Sequence, residues 1–117
     1  MNRDELKKRT KEFALRIIKL VNALPNSPAG KVIGNQLLRA GTSVGSNYRA
    51  ACRAKSKTDF IYKINIVEEE ADESAFWLEL IVESELMPKS KIESLLKEAN
   101  ELTAIFVSTN KTAKSKI

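Results

Sequence analysis

From Ile33 to Ala54, small and apolar side chains recur in alternating steps of four and three: Ile33, Leu37, Ala40, Val44, Asn47, Ala51 and Ala54. The repeat crosses GTSVGSNYRAACRA, residues 41–54, which has two glycines, an asparagine and no acid, a composition expected of a loop. A loop has no reason to hold that period, whereas a helix that turns one face to a partner does. Residues 28–54 therefore read as one continuous helix, the alternative being a break at Gly41-Thr42-Ser43. Each mid-helix glycine costs about 1 kcal/mol against alanine. Gly30, Gly34, Gly41 and Gly45 fall along one side, where missing side chains let another helix come close.

Three further helices follow from periodicity and punctuation. Residues 4–24 carry a stripe of Leu6, Phe13, Ile17, Leu20 and Leu24, ended by Asn22 and Pro25. Ser27-Pro28 is a cap followed by proline at the first helical position. A third helix spans residues 57–86, with Ser56 and Asp59 at its start and a seam through Phe60, Ile64, Val67, Ala71, Ser74, Leu78 and Ile81. Ser90 and Glu93 form a capping-box pattern for a fourth over 90–107, and the polar, basic residues 108–117 are expected to fray. Joints this short make sequential helices antiparallel, giving an all-α, up-down-up-down four-helix bundle in a single domain over residues 1–117.

Composition narrows function. The chain of 117 residues has no histidine and one cysteine, Cys52, which argues against His-based acid–base catalysis and Cys/His zinc sites. Catalytic residues and cofactors are expected to be none, and the chain is not read as an enzyme. No stretch suits a membrane span or a signal peptide, so a cytoplasmic location and no membrane partner are the default.

Antiparallel pairing about residues 56–57 sets Ser43 near Glu70 and Arg39 near Glu73. This predicts an inter-helix polar ladder, Arg39 to Glu73 and Asn47 or Ser43 to Glu70, with the Asn47 amide turned inward. Such a ladder fixes register more than it stabilises. Glu70 and Glu73 also resemble half of a bundle metal site. The second helix supplies no acid to complete it, so no metal is expected.

Charge is sharply divided. Residues 25–58 hold six bases and no acid, and residues 59–86 hold nine acids against Lys63 alone. The relevant bases for nucleic acid are Arg49, Arg53, Lys55 and Lys57, with Lys7, Lys8, Arg9 and Lys11 on the first helix. Arg49 and Arg53 lie one turn apart and Lys57 continues the line, a stripe suited to phosphates rather than base edges. The alternative is an ordinary solvated basic face. Opposed patches favour association between copies, and Phe76 and Trp77 cannot both face one seam, so one belongs at a subunit interface or the bundle edge.

The run LLRAGTSVGSNYRAACRAKSKTDFIYKINIVEEEADESAFWLELI, residues 37–81, resembles the central hairpin of the bacterial four helix bundle protein family, also called the 23S ribosomal RNA intervening-sequence protein family. The lead-in FALRIIKLVNALP is similar to its first helix. The resemblance places Arg39, Asn47, Glu70 and Glu73 in the shared signature and Arg49, Arg53 and Lys57 on a basic surface. It implies a homopentameric assembly, and RNA or DNA contact of the kind made by a relative, the accessory protein of diversity-generating retroelements. Many members carry glutamate where this chain has Ala50, which makes this turn more basic here. Beside that nucleic-acid-associated adapter stands a second reading, a self-assembling module that contacts only protein.

Overall fold

The computed structural model describes residues 1–116 and is all-helical. Four helices, α1 (Arg3–Asn22), α2 (Pro28–Ala51), α3 (Lys57–Glu83) and α4 (Glu93–Ser115), pack as an antiparallel four-helix bundle of 47 × 20 × 19 Å. A single 3-10 turn, Lys89–Lys91, leads into α4. Sequential helices share the broad seams, and α1 meets α4 over a narrower one.

α2 is one unbroken rod through Gly41-Thr42-Ser43, capped by the Ser27 hydroxyl, which accepts from the Gly30 N–H at 3.0 Å. It ends at Ala51, three residues earlier than the repeat implies, because Arg53 and Ala54 fold back into tight turns on the Ala50 and Ala51 carbonyls. The glycine side of α2 faces α1. A Cβ on Gly41 would stand 2.7 Å from Cγ1 of fully buried Ile17, and one on Gly45 would stand 3.3 Å from the Thr10 carbonyl oxygen. The helical cost of these glycines is thus offset by backbone-close packing of two helices.

Ser56 caps α3, accepting from the Asp59 N–H at 3.0 Å, while Asp59 accepts from the Lys55 N–H at 3.3 Å. At the other end the Glu85 N–H bonds the Val82 carbonyl and the Leu86 N–H bonds the Ile81 carbonyl. This is the Schellman arrangement, built around Glu85 at φ 61 where glycine is usual. The first helix has a capping box, Asn2 with Glu5, that its periodicity alone does not reveal.

Two expectations for α4 are corrected. Ser90 and Glu93 form no capping box: Ser90 lies in the 3-10 turn, and α4 starts after Ile92 with no side-chain cap. Ile92 is fully buried, so apolar anchoring sets the entry of this helix. Residues 108–115 do not fray but continue the helix to Ser115; Ile117 lies outside the described residues. Asn110 explains the extension. It is 5% exposed and its amide donates to the Asn65 side chain on α3, so a polar-looking segment is fastened to the bundle.

Two substitutions test these contacts by thermal unfolding. Gly41→Ala gains helix propensity of about 1 kcal/mol but must displace Ile17, so a net loss of about 1 to 2 kcal/mol is expected. Glu85→Gly relieves a left-handed backbone and should stabilise by about 0.5 kcal/mol or more.

Candidate nucleic-acid interface

Where α1 and α2 come close, the small side chains at the contact leave a groove of about 250 Å³. Lys7 and Lys11 reach it from α1 and Arg49 from α2, while Ala14, Thr42, Gly45 and Ser46 complete its lining. The hydroxyls of Thr42 and Ser46 donate to carbonyls of their own helix, Leu38 at 2.7 Å and Ser43 at 3.3 Å, and retain oxygen lone pairs only. The binding power of the groove therefore lies in its three cations. Among the described residues none of the three is ion-paired, and no acid lines the groove. Low side chains between long cations let a phosphate approach all three.

The other sequence-nominated bases separate from this group. Lys8, Arg53 and Lys55 are exposed outside the groove. Lys57 does not continue a stripe from Arg49 and Arg53, since the chain turns between α2 and α3. Its ammonium donates to the Lys116 carbonyl at 3.0 Å, at the far end of α4. Arg9 is committed elsewhere. Its guanidinium makes a fork with Glu98, 2.7 and 2.6 Å, and reaches Glu101 at 3.4 Å. The Glu98 hydrogen bond raises the Arg9 pKa further, against a smaller effect of burial. This clasp, with Arg16 donating to Ser94 at 2.9 Å, closes the narrow α1–α4 seam.

The polar ladder is also redrawn. Arg39 bonds Glu73 and also reaches Glu70, at 3.1 Å; the Ser43 side chain lies close enough to Glu70 to act on its pKa, whereas Asn47 does not join the ladder. Glu73 additionally accepts from the Trp77 indole N–H at 3.0 Å. Asn47 is half-buried and its amide turns back to the Ser43 carbonyl at 2.9 Å; the Ser43 hydroxyl donates to the Arg39 carbonyl at 2.7 Å. Short polar side chains on a helix satisfy themselves on the preceding turn, and the long arginine makes the ion pairs to α3. The network lies at the rim of the α2–α3 seam rather than inside the core, with the Arg39 side chain 50% exposed. Burial raises the Glu70 pKa, against the opposing pull of Arg39. Phe76 is half-exposed and stands edge-on to Trp77, ring centroids 5.0 Å apart, so Phe76 is the one at the bundle edge. Among the described residues no group of three or more acidic or cysteine side chains is arranged to hold a metal ion.

The 23S rRNA-intervening sequence protein family model matches residues 3–108. The chain belongs to that family. A crystal structure of a protein of unknown function from the S23 ribosomal protein family of Bacteroides thetaiotaomicron is 38% identical. It superposes with a TM-score of 0.86 over 95% of this chain and 99% of that one. No curated protein matches the sequence. Among the described residues of this intervening-sequence family member no helix is long and apolar enough to cross a membrane.

Sequence reasoning named the bases of both helices but not which of them share a groove, nor the Asn65–Asn110 pair. The glycine spacing was the available signal for the first. Tyr48 is buried in the core against Phe106, centroids 5.4 Å apart. Burial, then the neighbouring Cys52, holds its hydroxyl above the usual tyrosine range.

Two measurements follow. Arg9→Ala leaves the Glu98 carboxylate, only 16% exposed, without its partner and should cost about 2 kcal/mol in urea unfolding. Glu70, with its pKa raised in the folded state, contributes stability that is full below the ordinary glutamate range. That contribution is lost as the pH rises through the raised value. The urea midpoint of Glu70→Gln should lack this fall.

Proposed function

We propose that the protein is a non-enzymatic, nucleic-acid-associated accessory protein that holds the sugar-phosphate backbone of RNA or DNA in the α1–α2 groove. The observation that carries this reading is the convergence of Lys7, Lys11 and Arg49, from two helices, on one acid-free groove. Phosphate contacts of this sort give affinity without sequence readout. The acidic α3 supplies the opposite character, repelling backbone from the far side of the hairpin and orienting the encounter. Family membership and the resemblance to the accessory protein of diversity-generating retroelements are in keeping with such a role. The histidine-free sequence supports a role without His-based acid–base catalysis.

Self-association is the second reading, favoured by one observation. Phe76 is 50% exposed on the acidic helix, beside Trp77, where a second copy would cover it. The homopentameric ring suggested by the family resemblance belongs to this reading, and the native mass in solution tests it. With Phe76→Glu the mass should fall towards that of one chain.

Anisotropy titrations of an RNA hairpin and a DNA duplex at about 50 and 200 mM salt test the first reading. Micromolar affinity that falls steeply with salt is expected. Lys7→Ala/Lys11→Ala/Arg49→Ala should weaken it and flatten the salt slope by about two to three. Absence of binding at the lower salt, or an unchanged triple variant, contradicts the proposal.

A further inference from the structure

A second cleft lies away from the groove, at the end of the bundle where the α1 N-terminus, the α2–α3 turn and the last turn of α4 meet. It has a volume of about 560 Å³, within the range of small-molecule sites, roughly 300 to 1,000 Å³. Three cations line it, Arg3, Lys57 and Lys116, one from each of three separate segments. Among the described residues no carboxylate lines it, and none of the three cations is ion-paired. Asp59, on the first turn of α3, is already engaged by the Lys63 ammonium at 2.9 Å and the Lys55 N–H.

Two of the cations are held by main-chain contacts instead. Arg3 donates to the Cys52 carbonyl at 3.4 Å and Lys57 to that of Lys116 at 3.0 Å. Three like charges gathered at one cleft repel one another, and an anion between them relieves that repulsion. The rest of the lining is not suited to a bare inorganic anion. Phe60 contributes a half-buried ring, with the Arg3 guanidinium 5.5 Å from its centroid. A guanidinium resting on an aromatic ring presents its outer plane to a further flat group. The Ser56 hydroxyl accepts the Asp59 cap and keeps its proton free to donate.

We propose that this cleft binds a nucleoside phosphomonoester, its phosphate between Arg3, Lys57 and Lys116 and its base against the Arg3–Phe60 stack. The same chemistry comes from a free mononucleotide or from the phosphorylated 5′ end of a polynucleotide. The site is independent of the α1–α2 groove and stands or falls separately from it.

Isothermal titration of the full chain with AMP, adenosine and inorganic phosphate tests the proposal. AMP should bind at least about tenfold more tightly than either fragment, because only it fills both halves of the cleft. Arg3→Ala/Lys57→Ala, with both residues exposed and its helicity checked by circular dichroism, should lose about tenfold or more of that affinity. Lys7→Ala/Lys11→Ala/Arg49→Ala should leave it unchanged. Competition with 5′-phosphorylated and 5′-hydroxyl oligonucleotides then separates the sources. A preference for the phosphorylated end identifies a polynucleotide terminus, and failure of both to displace AMP identifies a free nucleotide; each upholds the site, whereas equal displacement by both overturns it. No AMP binding at millimolar concentration, or affinity indifferent to Arg3 and Lys57, overturns it.

Discussion

The close contact between α1 and α2 is the constraint on which the rest of the molecule turns. Gly41 against Ile17 and Gly45 against the Thr10 backbone bring two helices nearer than larger side chains would permit. That approach buries Ile17, Leu37 and Val44 together at essentially zero exposure and so supplies much of the core on this side. It also leaves a shallow trough on the surface at Gly45, because residues that let helices touch are short on the outer side as well. The same small residues thereby make the core dense and make room for an anion beside Lys7, Lys11 and Arg49.

The other seams are held differently. α2 and α3 share a continuous apolar strip and are indexed at the rim by one arginine bridging two acids and, through Glu73, an indole. α1 and α4, brought together last along the chain, share little surface and depend on the Arg9 fork to Glu98. A half-buried charge pair of this kind matters less for what it adds than for what its loss would strand. α3 and α4 are fastened near the far end by Asn65 and Asn110.

What could be read from the sequence divides along physical lines. Helix identity and direction were legible, since periodicity, Ser27-Pro28 and Ser56 are local signals. The side of α2 that faces a neighbour was legible from its glycines. Arg39 to Glu73 was legible because pairing about a short turn is arithmetic. Contacts between non-sequential helices were not: nothing in the order of residues says that Arg9 meets Glu98 rather than a phosphate. Nor does composition reveal that Asn110 is buried, since one asparagine among lysines and threonines looks solvated until α3 supplies Asn65. The Asn47 amide was assigned to the wrong partner because a backbone carbonyl one turn back competes with a carboxylate on another helix and is nearer.

Amide-resolved NMR titration with a short RNA hairpin at low salt tests most directly whether the helix contact and the anion groove are one feature. The account predicts that the largest shift changes fall on Gly45, Ser46 and Arg49 of α2, with Lys7 and Lys11 of α1. Changes confined to the outer face of α3 or to the α4 surface, with the α2 glycines unmoved, would contradict it.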